Sequence, residues 1–168
     1  MKLAFYRVAA EYCDYLRRYD RCVPYTMEHK ARRPFCGVVL TVCGVLYYAP
    51  LTSPKPKHLK MKNQQDFIKI KGGQLGAINL NNMIPVPEDC LAPIRISLTA
   101  AEGGDYAYQR LLLSQLEWCN SNKDKIVARA EKLRSVIVKG NGRRELTDRC
   151  CNFALDETLC KKWTAGER

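Results

Sequence analysis

The apolar residues of this 168-residue chain change their spacing once, and that change limits the folds open to it. Up to about residue 100 they come mostly in short β-type runs broken by Gly, Pro and Asn, whereas from Gly104 onward they fall into stripes at helical spacing. Phe35 to Val42 and Val45 to Ala49 are two apolar, β-rich runs separated by Cys43-Gly44, a sequence suited to a tight hairpin turn. Asp66 to Ile70 alternates, and Gly72-Gly73 marks a turn. Ile78 to Asn82, Met83 to Val86 and Pro93 to Ser97 supply further short strands. With Leu3 to Val8 the pattern predicts about six strands, mostly short and antiparallel.

One helical stripe precedes the strands, with Tyr12, Tyr15, Leu16 and Tyr19 on a single face that Pro24 ends. Core packing explains that spacing without assigning the tyrosines to base stacking. The later stripes are Tyr108, Leu111, Leu112, Leu116 and Cys119, then Ile126, Ala130, Leu133 and Ile137, with Asn120-Ser121-Asn122 separating and capping them. Gly140-Asn141-Gly142 ends the second, Phe153 to Trp163 can form a last short helix, and Thr164 to Arg168 reads as a frayed tail. Strands first and helices mostly afterwards predict an α+β fold, one strongly twisted antiparallel sheet with about four packed helices, as a single domain over residues 1–168.

Lys and Arg number 28 against 17 Asp and Glu, a net charge of +11, which points to a polyanionic partner: RNA, DNA or an anionic membrane. A spanning segment is not legible, because the longest apolar stretch, Phe35 to Pro50, is interrupted by Gly37, Thr41 and Gly44 and has strand composition. The first residues have a charge inside their apolar run and no cleavage site, so the expected location is the cytoplasm. Nine cysteines form no C-x-x-C pair, which argues against structural zinc; most sit among apolar residues, where the thiol acts as a small buried hydrophobe.

The segment from Pro50 to Lys60 concentrates the chemistry: the hydroxyls of Thr52 and Ser53, the ammonium groups of Lys55, Lys57 and Lys60, and the His58 imidazole. Pro54 and Pro56 argue against a regular helix, so the expectation is a stiff loop leaving a sheet edge. Composition alone fits a merely solvated Lys/Pro loop equally well. The functional reading is a site that holds and attacks a phosphodiester without a metal, for which RNA is the simplest case. The 2′-hydroxyl of RNA attacks its own phosphodiester if a base takes the proton and cations stabilise the crowded anion, and no metal or other cofactor is needed for that step. Scattered carboxylates and the lack of an H-x-E or D-x-D cluster agree with it.

Four strings resemble the ToxN, AbiQ and CptN family of endoribonuclease toxins from bacterial type III toxin-antitoxin systems. They are Arg33-Pro34-Phe35-Cys36-Gly37-Val38-Val39-Leu40, Tyr48-Ala49-Pro50-Leu51-Thr52-Ser53-Pro54-Lys55, Ile78-Asn79-Leu80-Asn81-Asn82-Met83-Ile84-Pro85-Val86 and Cys151-Asn152-Phe153-Ala154-Leu155. The resemblance implies a partly open β-barrel like that of the MazF and Kid toxins, and RNA cleavage leaving 2′,3′-cyclic phosphate ends without a metal. It also implies neutralisation by an antitoxin RNA of pseudoknot repeats, a higher-order protein–RNA assembly, and a role in growth control or phage abortive infection. The family's Thr-Ser-x-Lys trio falls on Thr52, Ser53 and Lys55. Its upstream aromatic hydroxyl and lysine fall on His29 and Arg33, a departure from the pattern, with Tyr25, Lys30 and Arg32 close enough to substitute; His58 matches a histidine that follows the family's loop motif.

On this reading Lys55 stabilises the phosphorane charge or protonates the leaving oxygen, and Thr52 and Ser53 orient the phosphate. A nucleophilic Ser53 lacks the Ser-His-Asp pattern. His29 is placed to act as base and Arg33 as a bidentate phosphate clamp. Lys30, Arg32, Lys57, His58 and Lys60 hold RNA. Arg129 and Lys132, with the other cations of the helical half (Lys123, Lys125, Arg134, Lys139, Arg143 and Arg144), form a groove for the antitoxin. Asn79, Asn81 and Asn82 either read base edges or satisfy strand ends. The departure at His29 keeps open a second reading, a non-catalytic RNA-binding module on the same scaffold; a DNA regulator is disfavoured by the lack of a helix-turn-helix pattern.

Overall fold

The computed structural model describes residues 2–25, 36–99 and 104–167. Its strands are β1 (Phe5–Val8), β2 (Gly37–Val42), β3 (Val45–Thr52), β4 (Phe67–Lys69), β5 (Ala77–Asn79), β6 (Ile84–Pro85) and β7 (Leu91–Pro93). The helices are α1 (Ala10–Arg17), α2 (Pro56–Lys60), α3 (Gly104–Ser121), α4 (Lys123–Val138), α5 (Arg144–Arg149) and α6 (Phe153–Thr164). All pairings are antiparallel, and the sheet order is β4-β5-β3-β2-β1-β7, with β6 beside the first half of β3 and β5 beside its end. The sheet is therefore open, an α+β architecture as the spacing of the apolar residues predicts.

The β2–β3 hairpin carries the sheet. Its six-residue register runs from Gly37 opposite Pro50 to Val42 opposite Val45. Cys43 (φ 49°) and Gly44 (φ 80°) both have positive φ, as a two-residue turn matched to strand twist requires. Tyr47, Tyr48, Ala49, Pro50 and Leu51 are buried in succession, because β3 is covered on both faces. α4 packs on β2, α6 on β6 and α4, and α3 on the 3₁₀ turn after β4. Tyr12 on α1 donates from its hydroxyl to the Pro85 carbonyl (2.6 Å) and meets Trp163 edge-on, so α1 is pinned between sheet and α6.

Several elements differ from the sequence expectation. Helices number six among the described residues, because α2 and α5 are too short to show a periodic stripe. Pro56 does not prevent α2; it occupies the first helical turn, where its missing N–H is not needed. The strand read as Ile78 to Asn82 stops at Asn79 and tightens into a 3₁₀ turn over Leu80–Asn82, and the last strand lies earlier, at Leu91–Pro93. Tyr12, Tyr15 and Leu16 are core, but Tyr19 is 59% exposed at the end of α1. No helix among the described residues is long and apolar enough to cross a membrane.

Candidate active site

The segment that follows β3 is a short, supported corner. Thr52 ends the strand, Ser53 and Lys55 are exposed beyond it, and α2 begins at Pro56 and displays Lys57 and Lys60 to solvent. The corner is fixed from within by His58. The His58 N–H donates to the Lys55 carbonyl (2.9 Å), and the Lys55 N–H donates to His58 Nδ1 (3.2 Å), a reciprocal cap on the first turn of α2. His58 is 2% exposed and its ring lies 5.6 Å from that of Phe67. Burial, reinforced by Lys57 and Lys55, holds its pKa below the ordinary imidazole value, so the neutral ring with Nδ1 as acceptor is the favoured form.

Behind the corner runs the glycine-rich turn from Ile70 to Gly76. Gly73 (φ +93°) and Gly76 (φ +95°) adopt backbone conformations that L side chains rarely reach, and both press on the corner. A Cβ on Gly76 would sit 2.0 Å from the Thr52 carbonyl oxygen, and one on Gly73 2.5 Å from that of His58. The turn is anchored in its own right: the Ile70 N–H donates to the Gly76 carbonyl (2.9 Å), and buried Gln115 on α3 donates from Nε2 to the Leu75 carbonyl (2.7 Å). The helical half of the chain thereby positions the loop that leaves the sheet. The sequence signal was Gly72-Gly73, legible as a turn but not as a support for Thr52 and His58 earlier in the chain.

Among the described residues, the Thr52 Oγ1 is buried and has no hydrogen-bond partner, a costly state for a hydroxyl unless something else pairs with it. The chain re-enters the described fold beside it, where the Cys36 carbonyl accepts from the Leu51 N–H (3.0 Å). His29, Lys30, Arg32 and Arg33 lie outside the described residues. Tyr25, the last described residue before them, is 64% exposed and lies under the Arg17 guanidinium, 4.1 Å from its ring centre.

The predicted RNA-contacting residues divide. Lys57, Lys60 and Lys132 are exposed, whereas His58 faces inward. Arg129 donates to the Gln64 carbonyl just before β4. Arg134, read as one of the groove cations, is instead held by Glu157 through two bonds (2.6 and 2.8 Å), and the Tyr47 hydroxyl donates to the same carboxylate. Arg149 grips buried Asp66 in the same manner (2.6 and 2.9 Å). Asn81 donates to the Arg149 carbonyl and Asn82 to the Cys22 carbonyl, so these amides tie the strand end to α5 and to the loop after α1.

Among the described residues one group could offer three ligand atoms to a cation: Asp20, Cys151 and Asp156, all buried, with those atoms within 4.8 Å of one another. Asp20 already accepts from the N–H groups of Cys22 and Asn152. Burial, and next the Asp20 charge, push the Asp156 carboxyl up to about 8, so it is protonated at neutral pH. A carboxyl–carboxylate pair describes the cluster without a metal, and it includes none of the loop residues.

The chain is 33% identical over 163 residues to the endoribonuclease ToxN of Pectobacterium atrosepticum, covering 92% of this chain and 90% of that one. It is 31% identical over 163 residues to the endoribonuclease ToxN of Bacillus thuringiensis subsp. kurstaki, covering 95% and 83%. A solved structure of a type III toxin inhibited by a non-coding RNA pseudoknot superposes with a TM-score of 0.78 at 31% identity, over 98% of this chain and 99% of that one. The family described as Toxin ToxN, type III toxin-antitoxin system, matches residues 4–161, from the start of β1 into α6 and across the whole sheet and the supported corner. This chain belongs to the ToxN family of type III toxins.

Proposed function

We propose that this chain is an endoribonuclease toxin, acting in the cytoplasm as one domain, and that the Thr52–Lys60 corner is where it cuts RNA. Its relatives are named endoribonucleases, and the observation in this chain that supports the assignment is the corner itself. Ser53 and Lys55 are exposed on a backbone held from behind by Gly73, Gly76 and His58. Positioning of this kind is what a reaction driven by orientation and charge needs.

In the proposed reaction the 2′-hydroxyl attacks the adjacent phosphorus, the P–O5′ bond breaks, and the products carry a 2′,3′-cyclic phosphate and a 5′-hydroxyl. Lys55 stabilises the phosphorane charge or delivers a proton to the departing 5′ oxygen. Ser53 and the Thr52 hydroxyl, which has no partner among the described residues, hold the non-bridging oxygens. Lys57 and Lys60 hold neighbouring phosphates, while His58 acts as a positioning residue. His29 serves as base and Arg33 as clamp, with Lys30 and Arg32 beside them. Side-chain cations offset the negative charge of the transition state, so the proposed reaction requires no metal.

Restraint by an antitoxin RNA of pseudoknot repeats is what the family likeness implies; the superposed toxin is inhibited by a non-coding RNA pseudoknot, and a net charge of +11, larger than a few active-site phosphates need, supports it. Exposed Lys132 belongs to that wider surface. The test is incubation of purified protein with cellular RNA in excess EDTA, with Ser53→Ala and Lys55→Ala in parallel and mapping of product ends. Cyclic phosphate ends from the parent alone support the proposal. Intact RNA in every lane with binding retained would make the chain a non-catalytic RNA-binding module.

A further inference from the structure

Beyond α2, a cavity of about 480 Å³ opens between β4 and the α3–α4 junction, within the range of sites that hold small aromatic ligands. Its floor is Ile68 and Ile126, both buried, and one wall is Trp118, half-buried, packed against the core on one side and lining the cavity on the other. Lys69, Lys125 and Arg129 stand around the mouth. An apolar slot with an indole wall and a cationic rim suits a flat, neutral group attached to an anionic chain, which describes an unpaired nucleobase on its phosphodiester.

Lys69 links the cavity to the proposed cleavage corner. Lys69, on its rim, donates from Nζ to the carbonyl of Leu59 in α2 (3.4 Å), and α2 is only five residues long, about 7 Å from end to end. An extended RNA strand passing over Lys57 and Lys60 therefore reaches the cavity within a few nucleotides of the scissile bond. Asn63 offers an amide beside it; its Oδ1 accepts from the Lys69 N–H (2.8 Å), which leaves the amide N–H groups to face a base edge.

We infer that the cavity walled by Trp118 and rimmed by Lys69, Lys125 and Arg129 is a nucleobase pocket, which captures one unpaired base of the RNA strand lying across the cleavage corner. The inference rests on the proposed RNA-cleaving role but is tested by binding rather than by cleavage. The occupant is the single strand; a base already paired inside a folded RNA cannot enter.

The chain has two tryptophans, and the other, Trp163, is 8% exposed and packed on Tyr12 and Tyr15, so it reports folding and not ligand. Intrinsic fluorescence of the full chain is titrated with short oligoadenylate RNA, with a blunt RNA duplex of the same length as control, in the parent, Trp118→Leu and Lys125→Ala. The expected result is quenching by the single strand and not by the duplex. Trp118→Leu should lose the quenching, retain Trp163 emission and bind about tenfold more weakly with an unchanged salt slope, whereas Lys125→Ala should keep the quenching with a shallower slope. Absence of quenching in the parent at saturating single strand overturns the pocket, and that reading stands even if Trp118→Leu does not fold. Cleavage with cyclic ends but no quenching would sink this inference alone, and quenching without cleavage would sink only the nuclease reading.

Discussion

Lys55 and His58 cap each other across one turn: the His58 N–H donates to the Lys55 carbonyl, and the Lys55 N–H donates to the buried His58 Nδ1. The exposed lysine is thus carried on a backbone whose direction is set by a side chain that solvent does not reach. Replacing His58 with Ala removes the acceptor and leaves a cavity against Phe67. The expected loss is roughly 1–3 kcal/mol in denaturant unfolding. RNA cleavage should fall at least as far as with Lys57→Ala, although the imidazole is buried. Unchanged cleavage by a folded His58→Ala protein would remove the positioning role.

The same histidine makes stability depend on pH. Its pKa is lowered in the folded protein by burial and then by Lys57 and Lys55, so as pH falls below about 6.5 the unfolded chain takes up a proton that the folded chain resists. Its share of stability is full above that value and is lost toward lower pH. Urea midpoints measured at about pH 7 and about pH 5.5 should drop more for the parent than for His58→Gln. Parallel drops would contradict the assignment.

Gly76 and Gly72 give a matched pair of substitutions on one turn. Both have positive φ, but a Cβ on Gly76 collides with the Thr52 carbonyl while one on Gly72 meets nothing within 4 Å. Gly72→Ala should cost about 1 kcal/mol with cleavage nearly intact. Gly76→Ala should cost roughly 2–4 kcal/mol and displace the corner, with cleavage largely lost. Thermal unfolding and initial cleavage rates on the two variants separate local strain from a shared effect.

Thr52→Val replaces a buried hydroxyl that lacks a partner among the described residues with a methyl group of similar shape. Stability should be unchanged or raised by up to about 1 kcal/mol, because no hydrogen bond is lost. If the hydroxyl serves the scissile phosphate, cleavage falls by roughly tenfold or more. A stable, fully active variant would assign the hydroxyl no role in the reaction.

Asp156 is raised to about 8 by burial and by Asp20, whereas in the unfolded chain it titrates in the ordinary carboxylate range. Between those limits only the folded chain holds the proton, so its contribution to stability declines as pH rises and is gone above about 8. Asp156→Asn keeps a donor facing Asp20 and removes this slope. It should therefore unfold later than the parent at about pH 8.5, by roughly 1–2 kcal/mol, with a smaller gain at about pH 6. An equal effect at both values would argue against the raised Asp156 carboxyl.

How far the sequence alone reached follows from what is local. The β2–β3 hairpin, its Cys43-Gly44 turn, the stripes of α3 and α4 and the switch from strands to helices were legible, because period and turn chemistry are properties of neighbouring residues. The crowded Thr52–Lys60 segment was legible as a candidate site for the same reason. What the sequence could not assign were contacts between distant segments. His58 turns inward under Lys55, Gly76 presses on Thr52, Arg134 is held by Glu157 rather than left in a groove, and Trp118 meets Lys69 around one cavity. These depend on which residues the open sheet and its helices bring together, and burial and charge pairing are decided only there.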